Sequence, residues 1–151
     1  MVDPLAEDYR FMQEALAQAR SVLGRTGDNP AVGCVIVRDG QVLARGATQA
    51  PGLRHAEAMA IEEADRLGLD LAPCDLYVTL EPCSFHGRTP PCSTLIARRH
   101  PRRVVVGCED PHPKVHGSGI AELRAEGIEV VEGVLAEEVR SLLFDWFARW
   151  R

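Results

Sequence analysis

The sequence predicts an α/β sandwich that opens with an antiparallel hairpin, and three observations carry that prediction. Short apolar runs, "DLYVTL", "RRVVVGC" and "IEVVEGV", read as strands. Segments with apolar residues at helical spacing alternate with them, the order that puts helices on the faces of a sheet. Ahead of those strands, "AVGCVIV" and "QVLARGA" flank Asp39-Gly40, a dipeptide that favours a type I′ turn because both central residues need positive φ.

Taken in order, Asp3-Pro4 suits an N-cap followed by proline at the first helical position. Met12, Leu16, Ala19 and Leu23 then predict an amphipathic helix over 4–24, ended by "RTGDNP". "HAEAMAIEEADRLG" predicts a second helix with Ala56, Met59, Ala60 and Ala64 on one face and Gly68 as its stop. "CSTLIARRH" predicts a third, "DPHPKVHGSG" a loop and "IAELRAEG" a fourth helix. The tail "AEEVRSLLFDWFARWR" predicts one last helix with Leu143, Phe147 and Trp150 along a stripe. No internal repeat or linker interrupts residues 1–151, so a single domain is expected.

At 151 residues the chain can bury a substantial core. No apolar run approaches the roughly 18 to 20 residues a membrane helix needs, and "MVDPLAEDYR" lacks the basic-then-apolar order of a signal peptide. A cytoplasmic protein without membrane partners is expected. Five cysteines are an odd number, and a reducing compartment argues against a disulfide framework. The net charge of −5 disfavours a nucleic-acid partner, since phosphate neutralisation needs a basic face. The local exception, "ARRHPRR" with Arg98, Arg99, Arg102 and Arg103, reads as a solvated helix end or, alternatively, a phosphate-contacting patch.

The chemistry-bearing residues are His55 and Glu57, opening a helix as "HAE", and Cys83 and Cys92, which bracket "SFHGRTPP". One imidazole and two thiolates make three zinc ligands and leave a fourth tetrahedral position for water. Glu57 follows His55 too closely to share its direction unless the helix start splays the two inward; it would then stand beside the metal without ligating it. Zinc deaminases pair such a ligand set with a glutamate, in the signature H-x-E followed by P-C-x-x-C. Here H-x-E and P-C are present, and eight residues separate the cysteines instead of two. Cys34 and Cys74 lie in or beside strand-like runs and read as packing thiols, as does Cys108 with its place near a site loop left open.

"NPAVGCVIV", "HAEAMAI", "YVTLEPCSFHGRTPPC", "VVVGCEDPHPKVHGSGI" and "LRAEGIEVVEGVL" together resemble the pyrimidine deaminase half of the bifunctional deaminase–reductase of riboflavin biosynthesis. The resemblance implies a cytidine-deaminase-like three-layer α/β/α sandwich around a mixed sheet of about five strands. It implies one zinc ion on His55, Cys83 and Cys92, with Glu57 as proton shuttle. It implies an amino-heterocycle substrate, a ribosylamino-pyrimidinone phosphate losing its 2-amino group, and a homodimer or higher oligomer. Asn29, Arg88 and Asp110 match positions that the family uses for substrate. Thr48, Phe85 and His112 stand where the family usually has histidine, histidine and asparagine, and a reductase half is not expected. Phe85 either stacks on the heterocycle or fills its own loop.

Two further substrate readings stay open: a different free base, nucleoside or nucleotide of cytosine, guanine or aminopurine type, and RNA. A zinc module without catalysis is the reading from another class. Phe144, Trp146, Phe147 and Trp150 crowd the last helix and predict either contact with a neighbouring subunit or cover for the domain's own core.

Overall fold

A computed structural model of the chain describes residues 4–51, 54–84 and 91–150. Asp3, Phe85 and Arg88 lie outside the described residues, so the expected N-cap and two of the expected substrate contacts do too.

The hairpin forms as predicted. β1 (Gly33–Arg38) and β2 (Gln41–Ala47) pair antiparallel with Arg38 opposite Gln41. Asp39 (φ 50°) and Gly40 (φ 77°) both take positive φ, the conformation a type I′ turn requires. A bulge falls between Ile36 and Val37. β3 (Asp75–Leu80) pairs antiparallel with β1 on one side and parallel with β4 (Arg103–Cys108) on the other, and β5 (Glu129–Glu132) extends the parallel half. The result is a mixed sheet of five strands in the order β2-β1-β3-β4-β5.

Side-chain alternation divides the core. Cys34, Ile36, Leu76, Val78, Val104 and Val106 point to the face covered by α2 (Ala56–Arg66), α3 (Cys92–Arg99) and α4 (Ser118–Ala125). Val35, Val37, Tyr77 and Val105 point to the opposite face, where α1 (Pro4–Ser21) lays down Phe11, Met12 and Ala15. β3 is buried along its whole length, as a strand covered on both faces must be. The sandwich is therefore three-layered, as the resemblance implies.

α1 stops at Ser21, three residues short of the predicted end. α2 ends where Gly68 predicted: Gly68 takes φ 70°, its N–H donates to Asp65 O, and the Leu69 N–H donates to Ala64 O, a Schellman closure. α4 begins inside the predicted loop, at Ser118. The tail is not one helix. It breaks at Leu143 (φ −106°, ψ 35°) into α5 (Ala136–Leu142) and α6 (Phe144–Arg149).

Three of the four arginines of the cluster meet carboxylates. Arg102 and Arg103 both bond Asp75, Arg103 also bonds Asp8, and Arg99 pairs with Asp65. Asp8 in turn accepts the Tyr77 hydroxyl at 2.5 Å, so this network ties α1 to the sheet. All five cysteines are free. Cys34, Cys74 and Cys108 are buried, and burial pushes each thiol up, as packing residues behave. Among the described residues no helix is long and apolar enough to cross a membrane.

Candidate active site

Three chain segments converge at the carboxyl end of β3, beside the crossing point where its neighbours run in opposite senses. His55 is the N-cap of α2, with extended backbone (φ −77°, ψ 165°), and Glu57 lies one residue inside the helix. That change of backbone between the two lets both face one cavity. Cys83 follows β3 after Glu81-Pro82, and Cys92 is the first residue of α3.

His55 Nδ1 lies 3.6 Å from Cys83 Sγ and 3.4 Å from Cys92 Sγ, and all three donor atoms fall within 4.8 Å of one another. Tetrahedral zinc with Zn–S near 2.3 Å and Zn–N near 2.0 Å puts its sulfur and nitrogen ligands about 3.5 Å apart. The observed spacing fits that ion. Among the described residues no fourth histidine, cysteine or carboxylate joins the cluster, which matches an open site better than a closed structural one.

The thiols are unlike. A hydrogen bond from the Cys92 thiol lowers Cys83 to about 4, with His55 helping against the cost of burial; the Cys92 thiol is pushed up in exchange. The bond to Cys83 raises His55 to about 9. Glu57 is 4% exposed. Burial first, then the Cys83 sulfur, raise its carboxyl to about 7.

The remaining wall comes from loops. Asn29 stands exposed at the rim. Thr48 lines the cavity, but its hydroxyl accepts from the Val32 N–H at 2.9 Å and donates to Pro30 O at 3.2 Å, so it fastens the entry to β1. Asp110 is buried; its Oδ1 accepts the His112 N–H at 2.9 Å and the Trp146 Nε1–H at 3.0 Å. His112 Nδ1 accepts the Lys114 N–H, and its ring stacks on Trp146 at 6.0 Å with planes 20° apart.

Two residues here were not foreseen as site residues. Trp146 was expected at an interface or over the core and instead lines the cavity. Glu81 is 3% exposed and takes three backbone N–H groups: Asp110 and Gly117 on Oε1, Ile120 on Oε2. Its position directly before the Pro82-Cys83 pair was the available signal. Of the other tail rings, Trp150 packs against His112 and Phe147 against the core, while Phe144 is 61% exposed.

Residues 5–108 match the family model of the cytidine and deoxycytidylate deaminase zinc-binding region. The riboflavin biosynthesis protein RibD of Actinobacillus pleuropneumoniae is 47% identical over 135 residues, which are 89% of this chain and 35% of that protein. RibD of Aquifex aeolicus is 44% identical over 140 residues, 93% of this chain and 38% of that protein. A crystal structure from Thermotoga maritima, a diaminohydroxyphosphoribosylaminopyrimidine deaminase/5-amino-6-(5-phosphoribosylamino)uracil reductase, superposes with a TM-score of 0.92 at 44% identity, over 98% of this chain and 42% of that one. The chain thus spans little more than a third of the length of the curated relatives it matches. With the ligand cluster, the sheet order and these likenesses in agreement, the chain belongs to the zinc-dependent cytidine and deoxycytidylate deaminase family of hydrolytic deaminases.

Proposed function

We propose that this chain hydrolyses the amino group from an aminopyrimidine, the diamino-ribosylamino-pyrimidinone phosphate of riboflavin biosynthesis. The single observation that carries the reading is the open three-donor cluster, of which His55 and Cys83 share one cavity with a buried carboxylate, Glu57. The named likeness at 44 to 47% identity supports the substrate.

His55, Cys83 and Cys92 would hold the zinc ion. Zinc, when bound, supplies the Lewis acidity that makes water nucleophilic at neutral pH. Glu57 would take one proton from that water and deliver it to the ring nitrogen beside the reacting carbon; it would then take the second proton, from the hydroxyl that the attack leaves on that carbon, and pass it to the departing amine as the carbonyl forms. One carboxylate serves because it alternates between base and acid. Burial keeps bulk water from competing for its proton. Asn29 and Asp110 would read the polar edge of the ring, and Arg88 would hold the phosphate through paired guanidinium donors. His112 would form part of the wall. Thr48 would act through the backbone it fastens, and Phe85 would stack on the ring.

A deaminase of a different base is the second reading. The engaged Thr48 hydroxyl favours it, because its one proton is spent on Pro30 O and it cannot donate to a substrate. Ammonia release from the zinc-loaded protein, compared across aminopyrimidines, nucleosides, their phosphates and aminopurines, separates the two. Release from the pyrimidinone phosphate alone supports the first reading; release only from another ring removes it.

The whole chain is read as one domain, since all five strands join one sheet. Five free thiols fit a reducing cytoplasm, and the resemblance to the family favours a homodimer. Light scattering that returns the monomer mass would remove the dimer.

A further inference from the structure

The tail was expected to serve an interface or to cover the core, yet α6 sends an indole into the site. Trp146 lines the cavity and stacks on His112. Its Nε1–H also ends on Oδ1 of Asp110, a carboxylate only 6% exposed. That oxygen already accepts the His112 N–H. Burial pushes the Asp110 carboxyl up, and the two N–H donors on Oδ1 work against that and fix its plane. Oδ2 takes no hydrogen bond among the described residues, and Asp110 borders the cavity. Oδ2 is therefore open to the cavity and free to accept an N–H donor from a bound ligand.

We propose that Trp146 is a positioning and specificity residue. It walls the ring site, and it holds Asp110 so that Oδ2 receives an N–H donor from the edge of the bound heterocycle. The substrate class this selects is a flat ring carrying an N–H or amino donor on the edge facing Asp110; a ring with only acceptors there is rejected. The assignment rests on the deaminase reading above and adds to it the residue that sets the recognised edge.

The effect runs through Asp110, so a double-mutant cycle tests it. In Trp146→Phe the ring is kept and the donor lost, and KM for the deaminated substrate rises about tenfold, the scale of one hydrogen bond to a charged group. The kcat stays within about twofold and zinc content is unchanged. In an Asp110→Asn background the same substitution adds little, because the group it positions is already altered. An unchanged KM in Trp146→Phe, or an equal increase in both backgrounds, overturns the proposal while leaving the deaminase reading intact.

A second measurement avoids dependence on that variant's folding. Trp146 and Trp150 are the two tryptophans of the chain, so Trp150→Phe leaves Trp146 as the sole indole reporter. 2,6-Diamino-4-pyrimidinone, titrated as the probe, quenches it saturably, and more weakly after Asp110→Asn. Saturable quenching without turnover of any amino-heterocycle would defeat the deaminase reading and keep the ring site. Turnover without quenching would defeat the placement of Trp146.

Discussion

Cys83 caps the helix that Cys92 begins: the Cys92 N–H donates to Cys83 Sγ at 3.3 Å, and the Ser93 N–H donates to Cys83 O at 3.0 Å. Two of the N–H groups that a helix leaves unpaired in its first turn are thus spent on one residue. The positive end of α3 faces a sulfur anion, which stabilises the charge that a metal ligand must carry. Each cysteine to serine change replaces a thiolate by a hydroxyl that stays protonated at neutral pH. Cys83→Ser and Cys92→Ser are expected to lose bound zinc, with Cys83→Ser also loosening the start of α3. Metal analysis of the purified variants checks this; one zinc per chain in both would remove them from the ligand set.

Glu57 shares the cavity but makes no part of the three-donor cluster. Its substitution therefore separates metal binding from proton transfer. Glu57→Gln keeps the size and shape of the side chain and cannot carry a proton between water and the ring. Zinc content is expected to stay at the wild-type level while kcat falls by about 10² to 10⁴, the usual scale for a proton-transfer group. A variant with full turnover would take Glu57 out of the mechanism.

Local chemistry made much of this molecule legible in advance. Asp39-Gly40 and Gly68 announce a hairpin and a helix end because positive φ is a property of single residues and their neighbours. His55, Glu57, Cys83 and Cys92 announce the metal centre because ligand chemistry restricts residue types strongly. What stayed hidden depends on partners distant in the chain. The helical period of the tail runs smoothly through Leu143 and gives no hint of the break, which accompanies the packing of Trp146 and Trp150 on His112. A lone glutamate such as Glu81 shows nothing of the three N–H groups that fold around it. Likewise the arginines of "ARRHPRR" resemble an anion site until Asp8, Asp65 and Asp75 are seen to meet them.

Glu81 links the metal loop to the substrate loop. Its backbone N–H bonds Cys108 O, and its carboxylate gathers Asp110, Gly117 and Ile120. Glu81→Gln puts an amide NH₂ where one oxygen accepted, so at least one N–H loses its acceptor and meets another donor. A loss of about 1 to 3 kcal/mol in stability is expected. Because the loop it holds carries Asp110 and His112, KM is expected to rise while zinc is retained. Thermal unfolding and steady-state kinetics on the same preparation check both parts; an unchanged KM would confine Glu81 to stability.

The last prediction joins the sheet to the metal. Gly46 lies on β2 beneath α2, and a Cβ there would meet Ala56 O at 2.1 Å and Ala60 N at 2.6 Å. Both are backbone atoms of the helix that carries Glu57 and is entered from His55, so neither can turn aside as a side chain would. Gly46→Ala must push α2 away from the sheet. Overpacking of this kind costs about 1 to 3 kcal/mol. Moving α2 also shifts His55 relative to Cys83 and Cys92, which stand on other segments and do not follow. Gly46→Ala is expected to lower both the unfolding temperature and the affinity for zinc, measured by competition with a chromogenic chelator. Leu67→Ala, at the 57% exposed C-cap at the far end of the same helix, is expected to leave both nearly unchanged. If Gly46→Ala lowered the unfolding temperature yet held zinc as tightly as wild type, the α2–β2 contact would set stability without setting the geometry of the metal site.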